Sequence, residues 1–132
     1  MANEATLVFN QAFPINFTVS NTTGIEKGAI CMMTDPMTAA SNTGTGDIFA
    51  GIASSEKIAL DGIVKLGMFR RGIFRMTSAV GPTIAVGVWV ATSGANLIRL
   101  ATEAEIAAGQ AIGIALEAFA SNTTGLVAVG GY

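Results

Sequence analysis

An internal echo at an offset near sixty residues restricts this chain more than any other feature. Ile25-x-x-Gly28-Ala-Ile-Cys-Met-Met-Thr34 is answered by Ile84-x-x-Gly87-Val-Trp-Val-Ala-Thr92. Gly51-Ile52-Ala53 is answered by Gly113-Ile114-Ala115, and the run Gly62 to Gly67 by the run Gly125 to Gly130. Each half then reads strand, polar loop, short strand, loop, strand. That order predicts an all-β chain built from two pseudo-repeated β-units sharing one closed or sandwiched sheet, a small β-barrel or β-sandwich. Ser20-Asn21-Thr22-Thr23-Gly24 recurs letter for letter at Ser121 to Gly125, and Asn and Gly suit tight turns feeding strands.

Between the halves lies Asp61 to Met76, which reads as a bent β-ribbon. Val64, Leu66, Met68, Phe74 and Met76 share one parity, while Lys65, Arg71 and Arg75 fall on the other. Arg70 breaks the pattern, and Gly67 and Gly72 are the expected bend positions. Four of the seven basic residues lie here, Lys65, Arg70, Arg71 and Arg75. They suit either a solvated strand face that blunts an edge or a surface that meets acidic groups on a partner.

The first twenty residues read as an extended N-terminal arm and residues 21–132 as the β-domain. From Leu7 to Val19 the odd positions carry Leu7, Phe9, Gln11, Phe13, Ile15, Phe17 and Val19, too long an alternation for one strand. Pro14 cannot donate to a ladder, so the break falls near it. Two readings fit: edge strands of the same core, or an arm that lays its phenylalanines on a neighbour. Further on, Met37 to Asp47 reads as an exposed, mobile loop of small residues. Thr102 and Glu105 have the spacing of a capping box and Gly109 suits a helix end, so one short helix is expected there.

Charged residues are only 12% of the chain, about half the usual share, while apolar residues reach 51%. Such a surface implies burial against partners. The net charge of −2 is at odds with the basic footprint of a nucleic-acid binder. The N-terminus lacks a secretory pattern and no run suits a membrane helix, so the expectation is a product made in the cytoplasm with neither nucleic acid nor membrane as partner. With no histidine, and with Cys31 and Trp89 inside apolar runs, neither a catalytic residue, a cofactor site nor a metal site is expected.

The extended N-terminal segment, the G-A-I-C-M-M strand, A-G-I-A, the central V-K-L-G-M-F-R-R-G-I-F, V-G-V-W-V and the closing I-G-I-A-L-E-A with L-V-A-V together resemble the capsid decoration or cement proteins of tailed bacteriophages. The resemblance spans roughly Ile25 to Val129. It implies a non-enzymatic virion protein, commonly a homotrimer, that binds the major capsid protein on the outer capsid surface and stabilises the shell. Residues expected to meet capsid or a neighbouring copy are Leu7, Phe9, Phe13, Ile15, Phe17, Lys65, Arg70, Arg71 and Arg75. A carbohydrate- or ligand-binding β-module, or a tail or other virion component, are the alternatives; Trp89 and Tyr132 are the only Trp and Tyr for a sugar site.

Overall fold

The computed structural model describes residues 3–44 and 47–130. Alternating apolar residues form β1 (Thr6–Asn10), β2 (Ile15–Thr18), β3 (Ile30–Asp35), β4 (Thr38–Ser41), β5 (Phe49–Ala53) and β6 (Lys65–Phe69). They continue as β7 (Gly72–Ser78), β8 (Trp89–Thr92), β9 (Leu97–Leu100), β10 (Ala111–Ala115) and β11 (Thr124–Val129), with one helix, α1 (Glu103–Ala107).

The two halves do not share one sheet. Strands β2, β4, β3, β5 and β6 close a first barrel, and β7, β9, β8, β10 and β11 close a second. In each, the first strand of the unit pairs in parallel with the third, Thr18 with Thr38 and Thr77 with Leu97. This pairing satisfies both edges within a copy, so neither copy needs the other's edge. Duplication is therefore present as expected, with closure inside each unit.

Register corrects two of the sequence matches. Thr18 pairs with Lys65 and Thr77 with Thr124, which makes Leu66 and Gly125 equivalent and leaves Gly62 ahead of its strand. The two Ser-Asn-Thr-Thr-Gly copies are also not equivalent: one follows β2, and the other runs into β11. Identical turn letters serve different corners because a turn needs only its local hydrogen bonds.

Strands β6 and β7, read from sequence as one ribbon, belong to different barrels, and Arg70-Arg71 is the link between them. The parity is as expected, with Leu66, Met68, Phe74 and Met76 buried. Val64 departs from it: this residue lies outside the strand and is exposed.

Met37 to Asp47 is not a loop throughout. Thr38–Ser41 is β4, and its small residues are a packing requirement, since Ala39 points into the first barrel's core. Residues 45 and 46 of that stretch, and Tyr132, lie outside the described residues.

The first barrel is filled by Phe17, Val19, Ile25, Leu66 and Met68 with small residues around them. A second cluster fills the other barrel with Phe74, Met76, Val90, Ile98, Ile112 and Val127, and continues onto Ile30, Phe49 and Ile52 of the first. All five residues of β5 are buried, because one side faces its own barrel and the other faces its neighbour. Polar groups cross the same seam. Asn96 Oδ1 accepts from Ile30 N at 3.0 Å, and Asn42 Nδ2 donates to Gly94 O at 2.8 Å. Buried amide pairs of this kind fix the relative setting of two packed elements, because a shifted interface would leave them unsatisfied.

One glycine position recurs for lack of room. A Cβ at Gly51 would lie 2.6 Å from Met68 Cβ, and one at the equivalent Gly113 only 2.1 Å from Ala128 O. The repeated Gly-Ile-Ala is thus where the fourth strand of each unit presses closest on the fifth.

Helix α1 has the expected capping box, with the Thr102 side chain accepting from Glu105 N and the Glu105 side chain accepting from Thr102 N. Gly109 follows at φ +76°.

Candidate surface for partners

The N-terminal segment crosses the seam between the barrels. Ala5 N donates to Gly28 O of the first barrel at 2.7 Å. Then β1 pairs antiparallel with β7 of the second, from Thr6 opposite Arg75 to Asn10 opposite Gly72. Residues 11–14 are the break expected at Pro14, after which β2 returns to the first barrel.

The residues expected to bind partners divide accordingly. Leu7, Phe9, Phe13 and Ile15 are exposed, and Phe13 most of all at 88%. Phe17 is 1% exposed inside the first barrel and presents nothing to a partner. The arm expected over residues 1–20 therefore ends before β2: Phe17 continues the odd parity, and closing a barrel turns that parity inward. No charged residue occurs from Ala5 through Ile25, so the exposed part of the segment is uncharged, with Thr6, Asn10, Gln11 and Asn16 among its apolar residues.

The four basic residues are not gathered into one patch. Lys65 Nζ donates to Thr18 Oγ1 at 2.9 Å, Arg70 and Arg71 occupy the link, and Arg75 stands on the outer face of β7. Lys65 belongs to the first barrel and Arg75 to the second, so these charges are divided between the two.

One exposed apolar feature escaped the sequence reading. Ile58, Leu60, Ile63 and Val64 are all exposed, Leu60 at 73%. Their loop is held rigidly from beneath. Asp61 accepts from Ile63 N at 2.9 Å, Ile58 N at 3.1 Å and Lys57 Nζ at 3.2 Å. The Nζ also donates to Asn21 O at 3.0 Å and Ile58 O at 3.2 Å. Asn21 closes the loop by accepting from Leu60 N on its carbonyl and from Gly62 N on its side chain, both at 2.7 Å. The N–H of Ile63, with the Lys57 ammonium and the Ile58 N–H, holds the Asp61 carboxyl below its ordinary value. Leu60 sits at φ +63°, uncommon for a residue with a branched side chain. The available signal was Lys57 and Asp61 bracketing an apolar run, but those letters look the same in a solvated turn.

The Cys31 thiol is buried and pushed up to about 12, far from a reactive thiolate. Glu105 is spent on Arg99, whose Nη1 donates to Oε1 at 2.7 Å while Nη2 bonds Oε2. Among the described residues no cluster of three or more metal-ligating side chains occurs. A cleft of about 670 Å³ lies under the N-terminal segment, walled by Leu7, Ile52, Phe69 and Phe74 with Glu4 and Lys27 among its lining. Among the described residues no helix is long and apolar enough to cross a membrane.

No curated protein and no solved structure matches the chain. A family model described as phage cement protein does, over residues 9–131. That match begins inside β1 and runs through every strand of both barrels, so it covers the duplicated architecture together with the segment that straps it. A chain matched over nearly its whole length in this way belongs to the phage cement protein family.

Proposed function

We propose that this protein binds the outer surface of an assembled major capsid lattice and stabilises it. The family assigns a role in phage capsid decoration. The observation that carries the finer reading is the amount of rigid, uncharged apolar surface on a molecule whose own core is complete. Leu7, Phe9 and Ile15 are displayed by strands, and Ile58, Leu60, Ile63 and Val64 by a loop locked through Asp61. Surfaces ordered in advance lose little entropy on docking. Copies associated as a homotrimer would repeat these surfaces, and several modest contacts then combine into firm attachment. Lys65, Arg70, Arg71 and Arg75, divided between the two barrels and their link, would meet acidic groups of the shell.

The test uses purified protein and shells assembled without it. Wild-type protein should sediment with the shells, appear on their outer face by electron microscopy, and raise the temperature at which they break. Leu60→Asp with Ile63→Asp, both exposed, should weaken attachment about tenfold or more. Substitution is the right tool: removing residues 1–19 would take away β2 with Phe17 and Val19, and the first barrel with them. Shells that stay bare in the presence of wild-type protein would overturn the reading.

A further inference from the structure

The two barrels turn left-handed at the same two corners and fill them with different residues. In the hairpin between the second and third strands of each unit, Met37 at φ +50° precedes Thr38 as Asn96 at +59° precedes Leu97. Thr38 and Leu97 hold the same place in the two parallel pairs. In the loop before the last strand, Leu60 at +63° and Asn122 at +53° each come three places after the bridged residue, Lys57 or Phe119. Each donates its N–H to the facing loop, Leu60 to Asn21 O and Asn122 to Ala79 O. Asparagine tolerates this geometry, whereas a bulky side chain there crowds its own backbone. Met37 also follows Pro36, and a turn with positive φ after proline takes glycine or asparagine by preference. Burial does not offset the strain, since Met37 is 49% and Leu60 73% exposed. Both residues stand at one end of the first barrel. Met37 O accepts from Thr18 N and Val64 O from Val19 N, so the hairpin and the 58–64 loop flank the end of β2. That loop carries Asp61, Gly62 and Ile63 between Leu60 and Val64, where in the second barrel Thr123 follows Asn122 directly.

We propose that Met37 and Leu60 are paired apolar anchors that enter apolar sockets on the shell, and that the backbone strain beneath them is retained for that contact. The inference rests on the attachment proposed above and names the residues that carry it. The second barrel shows that these corners need no apolar residue, since it builds both with asparagine. A side chain that strains its own backbone and stays exposed is held for something outside the fold. Among the described residues, the corresponding end of the second barrel exposes one large apolar side chain, Val80, near Ser121 and Asn122. The end that bears Met37 and Leu60 is bordered by exposed charges of both signs, Asp35, Glu56 and Lys65, while Lys57 and Asp61 within it are paired with each other. Mixed charge of this kind favours an apolar partner surface over one of a single sign. Decoration of a capsid, the role of the family, supplies that surface.

Thermal scans and co-sedimentation with bare shells, run on the same full-length variants, test it. Met37→Asn and Leu60→Asn should each raise the unfolding temperature by about 2 °C or more, because each relieves backbone strain. Combined, they should weaken attachment about tenfold or more. Asn122→Leu, the reverse exchange in the second barrel, should lower the unfolding temperature and leave attachment as in wild type. A stabilised double variant that attaches as wild type does would overturn the proposal. Met37→Asn and Leu60→Asn proteins less stable than wild type would also overturn it, as would loss of attachment in Asn122→Leu. If the double variant instead loses self-association in sedimentation equilibrium and still attaches, the surface belongs to a second copy and the proposal fails. Shells left bare by wild-type protein would sink the decoration reading and this one together, whereas shells decorated equally by wild type and double variant would sink this one alone.

Discussion

At the position where each unit bridges back to its first loop, the two barrels use opposite chemistry. Ile25 bridges Lys57 in the first, and Ile84 bridges Phe119 in the second. Both side chains are 1% exposed. The lysine turns its ammonium to two carbonyls and Asp61, and so organises the exposed loop above it. The phenylalanine fills space that exists because Gly125 stands where the first barrel has Leu66: a Cβ on Gly125 would lie 2.8 Å from Phe119 Cζ. The same backbone pattern is thus compatible with a polar plug or an apolar one, provided the facing strand makes room. One copy has a presenting loop; the other has an apolar side chain filling the same place.

The comparison is tested most severely where the strands are closest. Gly113→Ala should cost about 4 kcal/mol or more in urea unfolding, since the added carbon meets a carbonyl oxygen that cannot rotate away. Gly51→Ala should cost about 2 kcal/mol, because the approach there is looser. Equal costs would mean that the second barrel is no tighter than the first.

Next come the plugs. Phe119→Ala should destabilise by about 4 kcal/mol through the cavity left behind. Lys57→Met should cost roughly 2 kcal/mol, the worth of hydrogen bonds from a charged group. It should also loosen the 58–64 loop, read as faster amide exchange at Leu60 and Gly62. If Lys57→Met leaves that exchange unchanged, the lysine is a filler and not the organiser of the loop.

Acid gives the smallest effect. Arg99 holds the Glu105 carboxyl down to about 2, against an ordinary 4.5. Its folded value lies below its unfolded one, so its contribution is complete above about pH 4.5 and disappears as the pH falls towards about 2. Asp61, also lowered, acts in the same direction for the first barrel. In thermal scans across this range, Glu105→Gln should flatten the acid limb by a few degrees, about the size of a 1 kcal/mol effect. Asp61→Asn should flatten it less. The reverse order would place the stronger acid-sensitive pair in the first barrel.

Much of this fold was legible in the residues because closure and burial impose period two. The parity of Leu66, Met68, Phe74 and Met76 predicts their burial, and Thr102, Glu105 and Gly109 mark the helix by local chemistry alone. What could not be read was which strand closes on which. Period two looks the same for one shared sheet and for two barrels, and only the parallel pairs Thr18–Thr38 and Thr77–Leu97 decide it. The exposed surface was half visible. Leu7, Phe9, Phe13 and Ile15 stood out as apolar in a neutral stretch, yet Phe17 carries the same alternation into a core. The 58–64 loop stayed hidden because its order comes from Asn21, distant in sequence.

The path of residues 5–18 bears on how the molecule behaves under load. Ala5 and β2, at the two ends of β1, are both fastened to one barrel, while β1 itself lies along the other. A force that drew the barrels apart would find no loose end at which to start peeling, and the four register pairs between β1 and β7 would have to let go together. Such a lashing makes the two barrels bear a load as one body.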